Sequence, residues 1–84
     1  MIQTEKITEE AKRIGLELKL LRVRAGLTQE KLCELSGGEL KRNAIINIER
    51  CNNNASAMQI IKYASLLGYR LNIEPDPDFS PNNK

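Results

Sequence analysis

Within the run KRNAIINIER, Lys41, Arg42, Asn43, Asn47 and Arg50 crowd together. These side chains are hydrogen-bond donors, three of them charged. Arg offers a planar fork of N–H groups, Lys a rotatable ammonium, and Asn an amide that donates and accepts. Such groups suit recognition of another molecule. The usual catalytic partners are missing. The chain has no histidine, which removes the commonest general base and any His-containing zinc site. No Gly-rich phosphate loop, acidic metal cluster or nucleophile motif occurs, so neither enzyme activity nor a cofactor is expected. Cys33 and Cys51 lie eighteen apart and fit no metal-ligand spacing. Cys33 stands in an apolar helical register, where a free thiol behaves as a small hydrophobe.

A basic helix start placed directly after Gly37-Gly38 is either an inconsequential surface loop or a helix presented to a partner. Charge bears on the choice. The 84 residues carry a net charge of only +2. Residues 12–70, however, hold eleven Lys/Arg against five Glu, while the first eleven and the last fourteen residues each come to −2. A basic middle between acidic ends suits a polyanion partner, although a solvated surface of mixed sign would give the same totals. No apolar run approaches the roughly 20 residues that span a bilayer. The N-terminus lacks the layout of a secretory signal, so a cytoplasmic protein with no membrane partner is expected.

The elements that must position these donors follow from periodicity. Thr8 before Glu9 and Glu10 reads as a helix cap. Ala11, Ile14, Leu18, Leu21 and Ala25 then form an amphipathic stripe closed by Gly26. Thr28 opens a second helix with Leu32, Cys33 and Leu35 on its apolar face, ended by Gly37-Gly38. A third helix runs over about residues 41–50, burying Ile45 and Ile48 and turning Asn43, Ile46, Asn47 and Arg50 outward. Residues 52–54 make a turn. Ser56 caps a fourth helix carrying Ile60, Ile61, Ala64 and Leu67, with Gly68 as its stop. Tyr69, Leu71 and Ile73 then alternate with polar residues, a strand period. A lone strand cannot satisfy its own backbone, so the same strand of a second copy is the economical partner; a coiled segment is the alternative. The expected organisation is a flexible residue 1–7 segment, a helical domain over 8–68, a dimerisation strand over 69–74 and a flexible tail over 75–84.

Two short helices joined by a turn, the second one polar, describe a helix-turn-helix. The stretches "RVRAGLTQEKLCELSG", "IINIER" and "AMQIIKYASLLG" resemble the Cro/phage-repressor (XRE) family. Arg22, Gly26, Leu27, Thr28, Gln29, Leu32, Ile45, Ile48, Glu49, Ala64, Leu67 and Gly68 fill its ordered positions. The resemblance implies an all-α, compact, lambda-repressor-like domain of four to five helices, with the C-terminal strand pairing across a dimer.

It also implies roles. Arg42, Asn43, Ala44, Ile46 and Asn47 match positions that meet base edges of double-stranded DNA. Arg suits guanine, Asn suits adenine, and Ile46 either meets a thymine methyl or packs against the turn. Thr28, Gln29, Lys41, Arg50, Asn52 and Asn53 match phosphate-contacting positions, helped at Thr28 and Gln29 by a helix N-terminus. Arg22 and Glu49 match a structural ion pair. The chain departs from the family pattern in a corner two residues longer, over residues 36–40, and in Lys41 where a small polar cap is usual. Cys51 stands where Gly is common, and Ala55 where Pro is common.

The function implied is a transcriptional repressor that binds a two-fold operator as a homodimer. "LGYRLNIEP" is similar to the strand after the helical domain of HipB-type antitoxins, which implies the alternative of an antitoxin that binds DNA and neutralises a toxin protein. A domain serving only protein interaction would not need the basic helix start.

Overall fold

A computed structural model describes residues 4–51 and 55–79. Four helices make up its regular structure: α1 (Thr4–Arg24), α2 (Gln29–Leu35), α3 (Arg42–Arg50) and α4 (Ala57–Leu66). None of them is long and apolar enough to cross a membrane. α1 begins four residues before the cap expected at Thr8. The Thr8 hydroxyl instead donates back to the Thr4 carbonyl at 2.9 Å, the local bond that a threonine inside a helix makes. Residues 1–3 lie outside the described residues, as do 52–54, including Asn52 and Asn53, and 80–84.

The short helices start and stop as their sequences dictate. The Thr28 side chain accepts from Lys31 N and caps α2. Ser56 and Gln59 form a reciprocal capping box at α4. α3 begins at Lys41 with no side-chain cap bond. Its far end is closed by Cys51 in the left-handed region (φ 49°, ψ 48°), which explains why glycine is the common residue there.

The core gathers Leu18, Leu32, Leu40, Ile45, Ile48, Tyr63 and Ala64, with contributions from all four helices and the α2–α3 corner. Leu40 is fully buried, which periodicity did not indicate because it stands in a polar turn. The longer corner is therefore a plug rather than a loose excursion. Gly37 and Gly38 both take positive φ (67° and 87°), conformations that side chains resist. Buried Ser36 then accepts from Leu40 N at 3.0 Å and donates to the Cys33 carbonyl at 2.6 Å. This hydroxyl closes the corner and drops Leu40 into the core immediately before α3.

In α4, Tyr63 takes the buried place and Ile61 stays half exposed. Adjacent positions on a helix lie about 100° apart, so Ile60 and Ile61 cannot share one face. After α4, residues 69–76 have no regular structure. The strand expected over 69–74 does not form in the single chain, where no second strand is present among the described residues to complete a ladder. Tyr69, Leu71 and Ile73 are left exposed, Ile73 at 99%.

Gly15 sets how closely α1 and α3 approach. A Cβ at this position would lie 2.6 Å from the Glu49 carbonyl oxygen and 3.0 Å from that of Ile48, both backbone atoms. Ala is favoured over Gly inside a helix by roughly 1 kcal/mol, yet here the helices would have to separate. Gly15→Ala should therefore destabilise by about 1–3 kcal/mol, read as a lower urea midpoint. A midpoint unchanged or raised would show that the contact is slack.

Candidate nucleic-acid interface

The interface is built on α3. Ile45 and Ile48 are fully buried and fix one side of the helix to the core. Lys41, Arg42, Asn43 and Arg50 project into solvent, while Ile46 and Asn47 are half-buried along the same outer side. Lys41, Arg42 and Arg50 make no ion pair among the described residues. Their charges are thus uncommitted, unlike those of Arg22 or Lys62. Ala44 is half-buried and packs against the core, which leaves it less of a surface than Arg42 or Asn43. The first-turn N–H groups of α3 receive no side-chain oxygen from Lys41. A helix start without an internal cap keeps its positive dipole end available to an anion.

The aim of this helix is held by one carboxylate. Glu49, at the C-terminal end of α3, has a side chain 5% exposed and pairs with Arg22 of α1, 9% exposed. Arg22 Nε donates to Oε2 at 2.7 Å, and a second guanidinium nitrogen reaches Oε1 at 3.4 Å. Tyr63 of α4 donates its hydroxyl to Oε2 at 2.5 Å, and Gln29 of α2 donates to Oε1 at 3.1 Å. One side chain from each of the four helices therefore meets here. Arg22 also donates to the Leu27 carbonyl at 2.7 Å, which fastens the α1–α2 joint. Among the described residues no buried side-chain nitrogen or oxygen lacks a partner, so the cluster is polar but satisfied.

Sequence reading brings together Arg22 and Glu49, and the structure joins them. It missed Tyr63, which stands outside the Ile60, Ile61, Ala64 and Leu67 set expected for the fourth helix. Gln29 is half-buried and serves Glu49 with one amide hydrogen. Its second remains for an outside acceptor, so the internal bond and the expected phosphate contact are compatible. The Thr28 hydroxyl accepts from Lys31 N as the cap of its own helix, a bond that does not use the hydroxyl hydrogen.

The electrostatics follow the hydrogen bonds. Burial pushes the Glu49 carboxyl up, but bonds from Arg22, Tyr63 and Gln29 outweigh that and hold it below its ordinary 4.5. Burial first, and then the bond to Glu49, push the Tyr63 phenol well above its usual range. A carboxyl with a depressed folded pKa contributes stability that is present above its unfolded pKa, near 4.5. That contribution is lost as pH falls through the lower folded value. Tyr63→Phe should cost about 1–2 kcal/mol at neutral pH. The difference from wild type should shrink as the solution is acidified below pH ~4.5 and Glu49 takes up its proton. Urea melts across that range decide it; a penalty independent of pH would place the loss in packing instead.

The sequence profile of the helix-turn-helix family matches residues 18–73. No curated protein and no solved structure matches the chain. The family is one of DNA-binding regulatory domains, not of enzymes. The match runs from the middle of α1 through the braced α3 into the tail and covers well over half the sequence: the chain belongs to the XRE-type helix-turn-helix family.

Proposed function

We propose that the protein is a sequence-specific transcriptional repressor that occupies a two-fold operator as a homodimer. The observation that carries this reading is the contrast between the two sides of α3. One side is locked by Ile45, Ile48 and the Glu49 cluster, and the other offers Lys41, Arg42, Asn43 and Arg50 to solvent without ion-pair partners. A rigid helix with uncommitted donors fits the major groove, where Arg bridges guanine and Asn pairs with adenine. Lys41, Arg50 and the second Gln29 amide hydrogen, with Thr28 and residues Asn52 and Asn53 at the edges, would meet phosphates.

Dimerisation would follow from pairing of residues 69–74 with the same segment of a second copy. The exposed row of Tyr69, Leu71 and Ile73 favours that reading, because an unpaired edge of this kind invites another strand. The same row favours a second reading, an antitoxin whose tail also engages a toxin protein. A toxin gene adjacent to this one, with its product co-purifying through the tail, would support that function.

Arg42→Ala should relax base preference at one operator position by about 1–3 kcal/mol. Gln29→Ala should weaken all duplexes about equally. Anisotropy titrations on operator and scrambled duplexes separate the two outcomes. The logarithm of affinity should fall with log salt at about −0.9 per phosphate contact. Loss of affinity without loss of preference in both variants would mean that α3 does not read bases. Truncation after Gly68 should yield monomers by sedimentation; a truncated dimer would place the two-fold contact elsewhere.

A further inference from the structure

α1 is apolar on two opposite faces, and the fold uses only one. Ile14, Gly15, Leu18 and Arg22 face the core, whereas Leu16, Leu20 and Val23 are 55%, 41% and 54% exposed on the far side. Lys12, Leu16, Lys19 and Val23 follow the i, i+4, i+7, i+11 spacing that draws one line along a helix, with Leu20 beside it. Lys12, Lys19 and Arg24 make no ion pair among the described residues. The far side of α1 is therefore an apolar strip with unneutralised basic flanks.

The chain also carries the complementary surface. Residues 74–79, EPDPDF, contain three acids, no base, and Phe79, which is 70% exposed. In the single chain residues 76–79 close a turn, with Phe79 N donating to the Asp76 carbonyl at 3.1 Å and Asp78 N to the Asp76 carboxylate at 2.9 Å. Among the described residues the segment's ion pair is the exposed one from Lys6 to Asp76 at 3.3 Å, of a kind that contributes little. That pair places the segment beside the N-terminal end of its own α1, away from Leu16, Leu20 and Val23. Pro75 and Pro77 keep it from becoming helical and limit the entropy lost when it docks. With that turn opened, its six residues reach at most about 20 Å, enough to cover the roughly 17 Å of helix between Lys12 and Val23.

We propose that residues 74–79 dock on the outer face of α1 in a second copy of this chain, Phe79 covering the Leu16–Leu20–Val23 strip and Glu74 and Asp78 meeting Lys12 and Lys19. The proposal rests on the homodimer reading, since pairing of residues 69–74 would deliver each tail to the other protomer. The contact would be reciprocal and sensitive to salt.

Sedimentation equilibrium of the full chain tests it. The wild type should be a dimer that weakens as salt rises. Leu20→Glu and Phe79→Ser, both at exposed sites, should each weaken the dimer roughly tenfold or more while leaving the helical circular dichroism unchanged. Lys12→Glu with Lys19→Glu should do the same, and adding Glu74→Lys and Asp78→Lys should restore affinity to within about threefold of wild type. Wild-type dimerisation in both Leu20→Glu and Phe79→Ser, or no recovery in the fourfold charge reversal, overturns the docking. If those dimers persist but vanish on truncation after Gly68, strand pairing stands without tail docking. A monomeric full chain removes both.

Discussion

Everything in this fold converges on the Glu49 carboxylate. Arg22, Gln29 and Tyr63 come from the other three helices and fill its acceptor sites. Helices of seven, nine and ten residues are too short to persist alone in water, so their orientation must be imposed by tertiary contacts. Apolar packing is nondirectional and would tolerate some rotation of α3. A carboxylate with donors at fixed angles does not. A buried ion pair adds little net stability compared with well-packed apolar residues; its contribution here is direction.

The brace sits at one end of α3 and the free donors Arg42 and Asn43 at the other. Between them, Ile45 and Ile48 seal the core side of the helix. At the donor end the Ser36 hydroxyl and Leu40 perform the corresponding task, closing the corner from which α3 starts. α3 is thus anchored at both ends while its outer face stays in solvent. Its uncapped N-terminus adds a partial positive charge to Lys41 and Arg42, all on the side offered to an anion.

Much of this arrangement is written locally. The caps at Thr28 and Ser56, the stops at Gly26 and Gly68, and the buried Ile45 and Ile48 follow from hydrogen-bonding chemistry and a 3.6-residue period, both properties of neighbouring residues. What stays hidden depends on distant partners. The burial of Leu40 depends on a corner whose shape is set by two left-handed glycines and a serine. Nothing near Tyr63 in the chain marks its role, which exists only once α3 brings a carboxylate to its hydroxyl. The start of α1 is obscured by a competing cap-like signal at Thr8. Residues 69–74 have a strand's alternation but no strand partner among the described residues, and alternation alone cannot form a ladder. The residues proposed to read bases are legible through the ordered family pattern rather than through any physical rule applied to this sequence by itself.

The contact at Gly15 has a consequence for how such a protein can diversify. Because α1 meets the backbone of Ile48 and Glu49 without a side chain between them, the seat of α3 is defined by main-chain atoms. Those atoms are the same whatever residues occupy the outward positions. Arg42 and Asn43, both exposed, could be exchanged without disturbing that seat. The domain therefore has the construction of a socket with an interchangeable outer face, and under the proposed function new operator preferences would arise by a few surface substitutions on an unaltered frame.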